Sequence, residues 1–145
     1  MASIEQALCA YLMGKSAVTT LIGSGDGGRL YPNVLPQDYS VSQGPGVTYE
    51  IVSSNEEMLL APDRSGYVQS RVQISCFANK HADAMSTARA IKDSGIATLK
   101  GVSGGVDFRG VLTDGIRCYS ETPTDGSSEW RYIAEFDLII SYHEG

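Results

Sequence analysis

The stretch Val68-Gln69-Ser70-Arg71-Val72-Gln73-Ile74-Ser75-Cys76 decides the fold class. Val68, Val72, Ile74 and Cys76 point one way, while Gln69, Arg71, Gln73 and Ser75 point the other. Successive side chains on a strand leave by opposite faces. This spacing therefore predicts a strand with one covered face and one that is wet or covered only by a partner. The end of the chain repeats the pattern. Trp130, Tyr132, Ala134, Phe136, Leu138 and Ile140 fall on one face, and Arg131, Glu135 and Asp137 on the other, with Ile133 and Ile139 among them.

Working outward, Val47, Tyr49 and Ile51 alternate with Thr48 and Glu50, which predicts a strand from Gly46 to near Ser53. A loop from Ser54 to Gly66 leads into the deciding strand. Another strand is expected from about Val106 to Ser120, after Gly104-Gly105 and before the turn Thr122-Pro123-Thr124-Asp125-Gly126-Ser127. Ser3 with Gln6 has capping-box spacing, and Ile4, Leu8, Tyr11 and Leu12 recur at helical period, so a helix runs from about Ser3 to Met13. Gly14 punctuates it, and Ser16 caps a short turn carrying Val18, Leu21 and Ile22. The glycines from Gly23 to Gly28 cannot continue a helix, and Pro32, Pro36 and Pro45 make the next segment a loop. A second helix, about Lys80 to Leu99, buries Ala84, Met85, Ala88, Ile91 and Ile96. The order α-β-β-α-β-β predicts an α+β fold: a mainly antiparallel sheet of about four strands with two helices packed on one face.

At 145 residues the chain suits a single domain, 1–145, and needs no disulfide or metal to fold. Seventeen acidic residues against eleven basic ones leave a formal charge of −6, a poor balance for gripping a phosphate backbone. No apolar run is long enough to span a membrane, and the N-terminus lacks a basic segment followed by an apolar one, so synthesis inside the cell without a signal peptide is expected.

Motifs that could carry chemistry lack their context. Gly23, Gly25 and Gly28 match a dinucleotide fingerprint, yet they follow a helix and lead into Arg29-Leu30-Tyr31-Pro32, where that motif must follow a strand and open a helix. Gly14-Lys15-Ser16 resembles the tail of a phosphate loop, but Cys9 stands where a glycine is required. Cys9, Cys76 and Cys118 are far apart and odd in number, and Cys76 reads as a small buried hydrophobe. His81 and His143 have no local Ser or Asp constellation. Glu56 and Glu57 are neighbours in a loop, where adjacent side chains diverge and water keeps both ionised. Beside them, Met58-Leu59-Leu60 either folds back on the core or is meant for another chain. The residues thus point to an interaction or structural protein rather than an enzyme.

Several stretches together resemble the tail completion family of tailed bacteriophages, the tail terminators or tail-to-head joining proteins. They are Ile4-Glu5-Gln6-Ala7-Leu8, Ala17-Val18-Thr19-Thr20-Leu21-Ile22-Gly23, Arg29-Leu30-Tyr31-Pro32, Gly46-Val47-Thr48-Tyr49, Ser70 through Ala78, Ala82-Asp83-Ala84 and Tyr132 through Ile140. The resemblance implies a non-enzymatic virion protein without cofactor or metal, assembled in the bacterial host cytoplasm and placed at the head–tail junction. It implies a homo-oligomeric ring, a hexamer, that caps the head-proximal end of the tail tube and stops its polymerisation. The implied partners are the tail tube protein and the head connector protein. DNA passes through the lumen without specific binding, and no membrane is involved. Glu56, Glu57, Met58, Leu59 and Leu60 become a candidate subunit-interface or lumen loop. A connector-side head–tail adaptor, or a small cytosolic ligand-binding domain, are the other readings.

Overall fold

The two alternating stretches pair with each other. Strand β3 (Tyr67–Ala78) runs antiparallel to β7 (Arg131–His143), in unbroken register from Tyr67 opposite His143 to Ala78 opposite Tyr132. The computed structural model describes residues 3–23, 28–36, 39–40, 43–56, 67–121 and 131–143, with backbone alone at 55, 56 and 67. Both strands present one apolar face, and Val68, Val72, Ile74, Cys76, Ala134, Phe136, Leu138 and Ile140 are all buried on it. Burying one such aliphatic or aromatic side chain is worth about 1.5–3 kcal/mol, so this face anchors the core.

The four-strand, two-helix layout expected from the sequence is overturned. Among the described residues there are seven strands, in a curled mixed sheet, and three α-helices: α1 (Ile4–Met13), α2 (Ser16–Ile22) and α3 (His81–Lys92). The sheet order is β1-β2-β3-β7-β5-β4, with β6 also on β7. Strand β2 (Gly46–Glu56) pairs antiparallel with β3, extending three residues past the expected end. Strand β1 (Leu30–Pro32) adds in parallel to β2 and is too short for any period to show in the sequence. Proline is tolerated there because the strand lies at the sheet edge and need not donate a ladder bond. Strand β4 (Gly101–Ser103) forms a hairpin with β5 (Val106–Thr113) through Gly104 and Gly105, both at positive φ. The strand expected over 106–120 is two strands, β5 and β6 (Arg117–Glu121), lying end to end along the same edge of β7.

The helices differ from expectation for local reasons. Lys15 is extended, so the chain breaks after Gly14 and restarts as α2 rather than turning once. Helix α3 stops at Lys92, because Gly95 sits at φ 96° and begins a short 3-10 turn, Ile96–Thr98. Ile96 nevertheless stays in the core. Ser3 and Gln6 form the expected capping box, each side chain bonding the other's backbone N–H at 3.2 Å. Trp130 lies outside the described residues.

Two β-bulges and the contacts of α1 show the curl. Val52 is inserted between Ile51 and Ser53, and Arg109 between Phe108 and Gly110, each an extra residue that increases local twist. A Cβ built on Gly104, at one end of the sheet path, would lie 2.8 Å from the Cα of Ala7. Ser3 and Glu5, within one turn of Ala7, line a cleft with Pro32 at the other end. One helical turn thus reaches both ends of the sheet, which requires the sheet to wrap around it. Helix α3 packs on β3 and β7, and the Tyr11 hydroxyl of α1 donates to the Ser94 carbonyl just beyond α3.

Gly104→Ala is expected to cost about 1–3 kcal/mol, because the added methyl meets backbone rather than a side chain that could swing away. Gly110→Ala, with open space around it, should change stability by less than about 0.5 kcal/mol. Urea unfolding of the two variants checks the contrast. A second expectation concerns pH. Burial pushes the Cys76 thiol far above its ordinary value of 9.0. The unfolded chain therefore releases that proton as pH passes 9.0 while the folded chain keeps it. The stability due to this group is complete below that pH and falls above it by about 1.4 kcal/mol per pH unit. Cys76→Val should flatten the alkaline part of the stability curve, measured by denaturant midpoints from about pH 8 to 10.5.

Candidate functional site

The face of the sheet opposite the core carries the second set of alternating residues. From β3 come Arg71 and Gln73, from β7 Glu135 and Asp137, and from β6 Arg117 and Tyr119. Their placement follows from the registers, since residues directly opposite share a face. Among the described residues no helix covers this side.

Its organising feature is the interruption between β5 and β6. At Asp114 the strand leaves the ladder, and the side chain takes over a backbone role: its Oδ1 accepts the Asp137 N–H at 2.7 Å. The Asp114 carbonyl accepts from Lys92 Nζ at 2.7 Å, which ties the break to the end of α3. The other carboxylate oxygen of Asp114 accepts from Arg117 Nη1 at 3.3 Å. One acidic residue thus joins β7, β6 and α3.

From there an ionic network crosses three strands. Arg117 lies 3.7 Å from both Glu135 and Asp137, while Arg71 Nε donates to Asp137 Oδ2 at 2.9 Å. Gln73 Nε2 donates to Glu135 Oε2 at 2.7 Å, and the Tyr119 hydroxyl donates to the same oxygen at 3.3 Å. The Asp137 and Glu135 side chains are only 13% and 16% exposed, whereas Arg117 is 52% exposed and lies over them. Partial desolvation would lower the Arg117 pKa. The Asp114 bond and the charges of Asp137 and Glu135 outweigh that and raise it. Tyr119 is also raised, first by burial and then by Glu135. Both groups therefore keep their protons at neutral pH. Arg71 and Arg117 are already paired with carboxylates, which leaves these two poorly placed to hold phosphate.

Apolar side chains frame the network. Leu112 is 67% exposed and lies opposite Ile139, which has Arg71 on its other side. Tyr119 is 48% exposed and lies opposite the buried Ile133, whose other neighbour is Phe77. Val52 is swung outward by its bulge. Large exposed apolar residues beside a fixed ionic framework make a surface suited to a protein partner.

The residues singled out from sequence are distributed differently. Glu56 is the last residue of β2, whereas Glu57, Met58, Leu59 and Leu60 lie outside the described residues. Cys76 and Cys118 lie opposite Ala134 from either side, and Cys9 is half-buried on α1; all three are free. His81 opens α3 and stands edge-on to Tyr132 at 6.1 Å, and His143 ends β7. No group of three His, Cys, Asp or Glu residues among the described residues could hold a metal ion. Asp114 was missed, although a polar residue followed by Gly115 within an apolar alternation was the available signal. Among the described residues no helix is long and apolar enough to cross a membrane.

The sequence matches no known family and no curated protein. In three dimensions it is similar to a chain in the virion of native gene transfer agent (GTA) particle. The superposition has a TM-score of 0.57 at 17% identity and covers 97% of this chain and 95% of the other. The fold is therefore shared with a virion component over almost the whole length.

Asp114→Ala should destabilise the protein by about 1–3 kcal/mol, since it orphans the Asp137 N–H, and Asp114→Asn should restore most of that through its amide oxygen. Thermal unfolding of the pair checks this. A double-mutant cycle on Arg71 and Asp137 should give only about 0.2–1 kcal/mol of coupling, because Arg71 is substantially exposed.

Proposed function

We propose that this chain is a structural virion protein, without enzymatic activity, that caps the head-proximal end of a phage-type tail tube. The observation that carries the reading is the fold match to a virion chain, which extends over 97% of the residues. The family resemblance in the sequence agrees with it. An open sheet face with preset ion pairs and exposed Leu112 and Tyr119 supports assembly with other structural proteins.

In this reading the copies join by unlike surfaces into a closed ring, six-fold to match a tube end. The ring satisfies the contacts a further tube layer would have made. Its far face does not resemble tube protein, so growth stops and a surface for the head connector remains. The net charge of −6 and the pairing of Arg71 and Arg117 with carboxylates suit a conduit through which DNA passes without being held.

Electron microscopy of lysates lacking the protein tests the reading, with tubes measured one by one. DNA-filled heads without tails, alongside tubes of irregular or excessive length, are expected. Purified protein should halt tube growth and restore joining. Normal-length tails attached to heads would overturn the proposal, and normal-length tails that fail to attach would favour a connector-side adaptor. Light scattering of purified protein, alone and mixed with tubes, should show a species above monomer.

A further inference from the structure

A second feature lies at the margins of the sheet rather than on its faces. Asp137 donates its N–H to the Asp114 side chain, and its carbonyl accepts the Asp114 N–H at 3.2 Å. The backbone groups of successive residues on an antiparallel strand point to alternate sides, so the odd-numbered residues of β7 face β5 and β6. Arg117, Tyr119 and Glu121, opposite Glu135, Ile133 and Arg131, therefore bond to β7. Cys118 and Ser120, between them, turn their N–H and C=O groups outward. Among the described residues no strand pairs with that outer edge of β6. The same reading applies along β2. The Val47 N–H donates to the Arg29 carbonyl at 2.8 Å and the Tyr49 carbonyl accepts from the Asn33 N–H at 2.9 Å, so both residues face β1. Ile51 faces the same way, but β1 has ended at Pro32, and Asn33 at φ 65° breaks its extended run. Among the described residues the outer edge of β2 is thus unpaired from Ile51 onward.

We propose that these two edges join copies of this chain head to tail, the outer edge of β6 in one copy pairing with β2 beyond Tyr49 in the next. The proposal rests on the ring reading above and names the surfaces that meet. Main-chain hydrogen bonds supply the contact, as they do wherever a strand is added to an open sheet edge. Direction favours a second copy as the occupant. Each step from β2 to β3, β7 and β6 is antiparallel, so β6 runs opposite to β2. A copy added in the same orientation therefore continues the antiparallel ladder. Exposure points the same way: Val52 and Tyr119, 53% and 48% exposed, sit one on each edge, and joining covers both. Neither stretch, 50–56 or 117–121, carries the lysine or proline with which sheets block stray pairing. The bulge at Val52 interrupts the β2 edge, which pins the register of a short joint. Because the edges are unlike, each joint leaves one of each kind open, and the series ends only by closing on itself.

Two variants test the joint, with self-association followed by light scattering, alone and on tubes. Ser120→Pro removes an N–H that the single chain does not use, so the melting temperature should stay within about 4 °C of the parent. Self-association should weaken roughly tenfold or more, since the ladder loses a donor and gains a ring at its centre. Val52→Lys alters only an exposed side chain on the other edge, so it should fold normally and weaken association as well. Cross-linking gives a readout independent of stability. With Cys9→Ser and Cys118→Ser as background, copies carrying Ser120→Cys are mixed with copies carrying Val52→Cys and treated with a short bismaleimide. Covalent dimers should form in the mixture and in neither protein alone. Full self-association in both edge variants would overturn the joint while leaving the ring reading intact. Dimers between like copies would overturn it too, because they require an edge to pair with itself. So would loss of tube capping with self-association unchanged, which would make a tube-protein strand the occupant. A protein that stays monomeric alone and on tubes would overturn the ring reading and the joint together.

Discussion

Strand β7 is the constraint on which the rest depends. Its thirteen residues pair along their length with β3 on one side and with β5 and β6 in succession on the other. The side-chain period of a strand is two, so a slip of one residue on either side would exchange Phe136 and Leu138 for Glu135 and Asp137 in the core. The apolar face fixes the register by burial. The ionic face then reads the same register from the other side, since Arg71 and Gln73 meet their carboxylates only when Ile74 faces Phe136.

The broken edge beside β7 joins stability to surface. A continuous strand over 106–121 would satisfy the ladder without help. The break at Asp114 instead gives a carboxylate the work of a carbonyl and leaves its second oxygen for Arg117. Arg117 is held over three acidic residues while more than half exposed, so the surface is ordered before any partner arrives. Preordering lowers the conformational entropy lost on association, a property suited to a protein that assembles with others. The exposed Leu112 and Tyr119 flank this ordered patch.

Much of the surface was legible residue by residue. Alternation alone placed Arg71, Gln73, Glu135 and Asp137 on the wet faces of their strands, because period-two patterns are local and survive without tertiary information. The capping box at Ser3 and the buried face of α3 were legible for the same reason. Strands β1 and β4 were not, since three residues are too few to display a period and each forms only when a neighbour offers an edge.

The sequence by itself determined which residues face inward on β2, β3 and β7, where the first helix begins, and that the chain is acidic with its cysteines scattered. Those properties are set by neighbours a few positions away. Tertiary structure alone decided the number of strands, the parallel addition of β1, the split of β5 from β6 and the curl that brings α1 against both ends of the sheet. Each depends on contacts between residues tens of positions apart, such as Gly104 with Ala7 or Asp114 with Asp137. Backbone hydrogen bonding and close packing choose such contacts only once the chain has collapsed.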